Sequence, residues 1–229
     1  MKLGVILQAR MGSTRLPGKV LMPIAGRTLL EHVFERVAAL KSPHHFAVAT
    51  SVLPADAAIE KLCGKAGVAC FRGDEADVLS RYLGCAEMFG MDPVVRLTGD
   101  NPFTDVEELD RLIALREKEG CDFAHSFKAL PIGVGAEVFT LSALRASAKE
   151  GRAAHHREHV DEFLLEHPER FKTLELPTPA AKRRPDVRLT VDTEEDYKRA
   201  CFIAERAKSR LATTEEAIRL AEDYVRALR

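Results

Sequence analysis

Four short apolar runs, Leu3 to Leu7, Phe46 to Thr50, Val68 to Phe71 and Val94 to Leu97, constrain this chain more than any other feature, because helical periodicity separates each from the next. Runs of strand length without polar alternation suit strands covered on both faces. The intervening stretches Thr28 to Leu40, Ala55 to Ala66 and Ala76 to Phe89 read as amphipathic helices, and Asp105 to Glu119 follows the fourth run. Gly67, Gly90 and Gly120 stand where such helices stop. Strands joined by helical crossovers pair in parallel, so the expected fold class is α/β: a three-layer α/β/α arrangement around a doubly wound, mostly parallel sheet.

After Cys121 the rhythm changes. Strands are expected near Ala136 to Thr140, Lys172 to Leu176 and Val187 to Val191, with a helix from about His156 to His167 and a proline-rich loop from Pro177 to Pro185. Two more helices, Glu194 to Lys208 and Thr214 to Leu228, close the chain. This half reads as mixed α+β, and the 229 residues are expected to form one domain divided at about residue 120.

Basic and acidic residues are interleaved and nearly balanced, 34 against 35, so no broad basic face suggests nucleic acid or an anionic membrane. The five cysteines, Cys63, Cys70, Cys85, Cys121 and Cys201, contain no C-x-x-C pair and read as reduced thiols. The apolar stretch from Leu3 to Leu7 ends at Gln8 and is too short for a signal sequence or membrane span, which places the expected location in the cytoplasm.

The first run ends in Gln8-Ala9-Arg10-Met11-Gly12-Ser13-Thr14-Arg15-Leu16-Pro17-Gly18-Lys19. Ligands of open α/β sheets sit beyond the carboxyl ends of the strands, where this loop falls. Glycine amides can cup phosphate oxygens while Arg10, Arg15 and Lys19 neutralise them. The pattern is not a Walker A loop, because five residues separate Gly12 from Gly18 where four are required, and Val20 follows Lys19 where a hydroxyl residue is required.

The stretch from Gln8 to Leu21, continuing through Pro23-Ile24-Ala25-Gly26-Arg27, resembles the signature loop of the CMP-sugar synthetases, the acylneuraminate and KDO cytidylyltransferases, and is most similar to their spore-coat polysaccharide biosynthesis branch. The resemblance implies a nucleotide-diphospho-sugar transferase-like fold, with residues 1–120 as the nucleotide-binding half and 121–229 as the sugar-binding half. It also implies CTP and an acidic sugar as substrates, Mg2+ as cofactor, and surface polysaccharide or glycan synthesis as the purpose. A homodimer is left open. On this basis Gln8, Ala9, Arg10, Gly12, Ser13, Thr14, Arg15, Lys19, Thr98 and Gly99 are expected at the nucleotide, with Arg15 and Lys19 catalytic.

The fourth run leads into Thr98-Gly99-Asp100-Asn101-Pro102, and Asp192 stands in Leu189-Thr190-Val191-Asp192-Thr193. Magnesium is usually held by one or two carboxylates together with phosphate oxygens and water. The resemblance pairs Asp100 and Asp192 as the catalytic metal ligands. Plainer roles compete: Asp192 or Thr193, followed by Glu195 and Asp196, is a helix-capping signal, and Asp-Asn-Pro forms a turn on its own.

His155-His156-Arg157-Glu158-His159 matches the H-x-x-E-H pattern of inverted zinc peptidases, but five residues without a third ligand segment are a weak signal. The spore-coat branch has a similar Arg-Glu-His-Val segment, which implies that Arg157, Glu158 and His159 lie near the sugar. Arg157 is the expected partner of a sugar carboxylate, because a guanidinium offers it a planar fork. Glu137 matches that branch's glutamate-valine-phenylalanine strand, whereas Ile132 and Gly135 stand where aspartates are expected. Two other classes compete: a glycosyltransferase or other sugar nucleotidyltransferase on the same scaffold, and a silent nucleotide-binding module. Asp100-Asn101-Pro102 lacks the second aspartate of the Asp-x-Asp motif that such glycosyltransferases usually carry.

Overall fold

The computed structural model describes residues 2–228. The first half runs β1 (Lys2–Gln8), β2 (Pro23–Ile24), β3 (Arg27–Thr28), α1 (Leu29–Ala38), β4 (His45–Ser51), α2 (Ala57–Ala66), β5 (Ala69–Gly73), α3 (Val78–Met88), β6 (Met91–Thr98) and α4 (Val106–Glu119). The second half adds β7 (Phe123–His125), β8 (Glu137–Phe139), α5 (Leu141–Glu150), α6 (Ala154–Glu158), α7 (Glu162–Glu166), β9 (Thr173–Glu175), α8 (Glu194–Arg206) and α9 (Thr214–Ala227).

One sheet, ordered β5-β4-β1-β6-β8-β7-β9, runs through the molecule. Pairing is parallel from β5 to β6 and again between β7 and β9, and only β8 runs against its neighbours. The pleat sorts side chains to two cores. Val5 and Leu7 of β1 and Val95 and Leu97 of β6 face one core with α1, α2, α4, α8 and α9; Ile6 and Val94 face the other with α3, α5 and α7. Removing a side chain such as Ile6 from water contributes about 1.5–3 kcal/mol, so each central strand stabilises both layers at once. This is the expected three-layer, mostly parallel architecture. The chain leaves β1 toward β4 and β5, then returns to β6 on the other side of β1, so the order reverses between β1 and β6 and opens a crevice at their carboxyl ends.

Two local expectations need correction, and two elements were not expected. Residues 187–191 do not form a strand: they make one isolated bridge, Ile132 with Arg188, and backbone bonds to Ile132 and Asp100, because they run beside a loop and not along the sheet. The expected helix from His156 to His167 is two short helices. His159 leaves helical geometry at φ −108°, and the turn that follows buries Val160 completely. Strand β7 and helix α5 give little sequence signal, since Phe123–His125 is too short to show a period and α5 is rich in small residues.

Candidate active site

The loop after β1 is held open by groups outside it. The Met11 N–H donates to Asp56 Oδ1 at 2.7 Å, and the buried Asp56 carboxylate also accepts from the Ser51 N–H and hydroxyl at the end of β4. The Met11 carbonyl in turn accepts the N–H groups of Ser13 and Gly18, each at 3.0 Å. On the facing strand, the Gly99 N–H donates to the Gln8 carbonyl at 2.7 Å. A Cβ on Gly99 would lie 3.0 Å from that carbonyl oxygen and from Ala9 Cβ, so glycine is what allows β1 and β6 to meet this closely at the crevice.

The crevice is a cleft of about 290 Å³. All ten residues expected at the nucleotide line it, from Gln8 to Lys19 together with Thr98 and Gly99, and so do Asp100 and Asp192. Lys19, 8% exposed, sits at its floor. Its ammonium donates to Asp100 Oδ2 at 2.9 Å, to Asp192 Oδ1 at 2.8 Å and to the Val191 carbonyl at 2.8 Å. Arg15 reaches Asp192 Oδ1 at 3.1 Å, and Arg188 holds Asp192 Oδ2. Burial works to raise the Asp192 carboxyl, but Lys19, Arg15 and Arg188 outweigh it and hold the group below the ordinary carboxylate range.

The competing roles of the aspartates are settled by their hydrogen bonds. Thr193 is the N-cap of α8 and forms a capping box with Asp196, whose carboxylate also accepts the Asp192 N–H at 3.1 Å. Asp192 is therefore not the cap; its backbone is fixed by one, and its carboxylate is left to the cleft. The hydrogen-bond partner of the Asp100 carboxylate is Lys19, and its turn is closed by the Asn101 N–H on the Thr98 carbonyl at 3.2 Å. Two hard carboxylates thus converge on one point in a cleft whose lining carries Arg10, Arg15 and Lys19 against them. That leaves one surplus positive charge, too little to balance a nucleoside triphosphate, and a divalent cation between such oxygens suits both the donor set and the deficit.

A second chamber of about 360 Å³ adjoins the cleft and shares Gln8 and Arg10 with it. Glu158 and His159 line this chamber, along with Arg96 of β6. Glu137 lies behind Arg96, buried and ion-paired with it; burial raises its carboxyl to about 7 against the pull of Arg96, with Asp161 adding to the rise. Arg157 departs from its expected place. Its guanidinium donates to the Ala148 carbonyl at 2.9 Å and lies 3.4 Å from Asp77, between α5 and the start of α3, and it lines neither cavity.

The H-x-x-E-H pattern does not assemble. His155 and His156 each donate from Nε2 to the Glu166 carboxylate, at 2.8 and 2.7 Å, while His159 belongs to the chamber. Ile132 is 46% exposed and lines neither cavity. At Gly135 a Cβ would lie 2.7 Å from Phe127 Cα, so an aspartate there requires a different backbone. Asp56 and Arg96 carry no local motif, and Asp56 acts at the site only because the fold brings distant segments together; Arg188 and Asp196 reach Asp192 from four residues on either side of it.

A family model described as cytidylyltransferase matches residues 4–223. The chain is 38% identical over 213 residues to the spore coat polysaccharide biosynthesis protein SpsF of Bacillus subtilis, covering 90% of this chain and 87% of that one. It is 42% identical over 118 residues to the 3-deoxy-manno-octulosonate cytidylyltransferase of Desulfatibacillum aliphaticivorans, covering 50% of this chain and 47% of that enzyme. The solved structure of a cytidylyltransferase from Leptospira borgpetersenii superposes with a TM-score of 0.91 at 33% identity, covering 99% of this chain and 96% of the other.

Proposed function

Because the chain belongs to the cytidylyltransferase family, we propose that it transfers CMP from CTP to the anomeric hydroxyl of an acidic sugar and releases pyrophosphate, with Mg2+ held by Asp100 and Asp192. The observation that carries this reading is the convergence of both carboxylates on Lys19 at the mouth of a cationic loop, beside a second chamber. The cleft suits a triphosphate and the chamber suits its acceptor. The acidic acceptor is supported by the relative named for 3-deoxy-manno-octulosonate, and a role in polysaccharide synthesis by the spore coat relative.

In this mechanism the loop from Gln8 to Lys19 binds the nucleotide with its backbone N–H groups and its cations on the phosphate oxygens. Lys19 and Arg15 hold the leaving pyrophosphate, and Asp192, fixed by Arg188 and the α8 cap, keeps its carboxylate aimed into the cleft. The acceptor hydroxyl forms a bond to the α-phosphorus in line with the bridging oxygen, whose bond to that phosphorus breaks, and the hydroxyl proton leaves to water. Magnesium supplies charge neutralisation on the phosphoryl oxygens when bound. Positioning and electrostatics provide most of the acceleration, without a histidine base.

Pyrophosphate release from each of ATP, GTP, UTP and CTP, measured against acidic eight- and nine-carbon sugars and against neutral hexoses, tests the reading. CTP with an acidic sugar is expected to be the productive pair and to require a divalent cation. Preference for another nucleotide, or for a neutral hexose, would replace it with another nucleotidyl transfer.

A further inference from the structure

The chamber beside the cleft holds its cation in an unusual setting. Arg96 sits on β6 with its side chain 16% exposed. One guanidinium nitrogen pairs with Glu137, the group lies 5.8 Å over the Tyr82 ring, and Nε is buried with no hydrogen-bond partner. Tyr82 is itself fixed, its hydroxyl donating to the Leu97 carbonyl at 2.7 Å. A guanidinium clamped on a central strand between an aromatic face and a carboxylate has one orientation, which is the condition for presenting a planar fork to a ligand. Arg10, the other cation of the chamber, is 44% exposed and 3.8 Å from Glu75, and Arg157 is engaged elsewhere.

We propose that Arg96 is the residue that orients the acceptor, by donating to the carboxylate of an acidic sugar seated in the chamber lined by Gln8, Arg10, Glu158 and His159. This rests on the cytidylyl-transfer reading above and names the specificity determinant of its second substrate. A molecule held there adjoins the nucleotide, since Gln8 and Arg10 wall both cavities. Glu158 and His159 face it from the end of α6, with polar atoms suited to sugar hydroxyls. Arginine is the fitting residue because two parallel N–H donors match a carboxylate, whereas an ammonium offers a point charge.

The pair behind the chamber gives the proposal a signature of its own. Glu137 is faced by Arg96 of β6, Tyr82 of α3, His125 across the ladder on β7, and Asp161 ahead of α7. Below about pH 7 Glu137 is protonated and leaves the charge of Arg96 to the ligand; above it, the Glu137 carboxylate competes for the same guanidinium. Affinity for an acidic sugar therefore declines as pH rises past 7, by at most about tenfold per unit, while affinity for CTP does not follow.

The experiment uses the full chain with CTP and magnesium, and 3-deoxy-manno-octulosonate, N-acetylneuraminate and their methyl esters as probes. Arg96→Lys is expected to raise the KM for the acid about tenfold or more and leave that for CTP within about twofold. The methyl esters should be poor acceptors for the wild-type protein. Glu137→Gln keeps the arginine and should abolish the decline above pH 7, a readout that a purely structural role would not move. The assignment is overturned if Arg96→Lys leaves both KM values unchanged or raises them equally, or if esters and acids are used alike. If none of these acids releases pyrophosphate from CTP while CTP still binds, the acidic-sugar reading itself has failed, and the role of Arg96 falls with it.

Discussion

The ammonium of Lys19 donates to Asp192 Oδ1 at 2.8 Å across 173 positions of sequence, joining the first loop of the chain to the start of α8. The same nitrogen holds Asp100, so one cation keeps two carboxylates of the cleft together. Lys19→Met removes that cation and leaves the carboxylates facing each other. Hydrogen bonds to charged groups contribute about 1.5–3 kcal/mol each. We expect kcat/KM for CTP to fall by about a hundredfold or more, and triphosphate binding to weaken far more than cytidine binding in calorimetric titrations. Equal losses for CTP and cytidine would contradict the phosphate assignment.

Asp100→Asn and Asp192→Asn each remove a carboxylate charge at the edge of the sheet without opening the core. Turnover should be abolished in both, with circular dichroism unchanged and Mn2+ binding, followed by its electron paramagnetic resonance signal, weakened in the presence of CTP. Near wild-type activity of both variants at limiting magnesium would remove the two-aspartate site.

Gly135 decides a departure from the family pattern. Because a Cβ there meets the Phe127 backbone at 2.7 Å, Gly135→Asp should destabilise the protein, by about 1–3 kcal/mol, and should not extend the range of sugars. Ile132→Asp, on an exposed side chain outside both cavities, should leave melting temperature and sugar kinetics unchanged. Thermal melts with acceptor profiles separate the two cases.

Stability should respond to pH in two opposite ways. The folded carboxyl of Glu137 is raised to about 7 from an ordinary value near 4.3, so its contribution is present in full below about pH 4 and is lost as pH rises through 7. Asp192 and Asp196 are depressed: burial opposes ionisation, but Lys19 acts on the first and the Thr193 hydroxyl on the second, each more than offsetting it with the help of neighbouring groups. Their contribution is present above about pH 4 and lost as pH falls below it. In urea titrations, Glu137→Gln should flatten the decline between about pH 5 and 7, whatever its effect on absolute stability. An unchanged slope would contradict the raised carboxyl.

The parts legible in the sequence were those written contiguously. Central strands such as β1 are covered on both faces and read as plain apolar runs, and the loop after β1 collects its glycines and cations within twelve positions. Asp56 could not be read this way, since it supports Met11 from 45 residues away through a crossover. Asp196 was legible as part of the capping signal beside Asp192, whereas the contact of Arg188 with the Asp192 carboxylate has no motif to announce it. Arg157 lines neither cavity, since a motif gives the order of residues but not where a five-residue helix points its side chains. Arg96 sits inside an apolar strand pattern, where a charged residue reads as an interruption and not as the wall of a cavity.

Arg96 and Thr98 lie two residues apart on β6, one lining the chamber and the other the cleft. The spacing of alternate residues on a strand is about 6.6–6.8 Å and is set by covalent geometry. The sheet therefore serves as a rigid gauge between the two cavities. Loops at the rim can lengthen, shorten or change composition around the two cavities, while this strand spacing between them keeps its length.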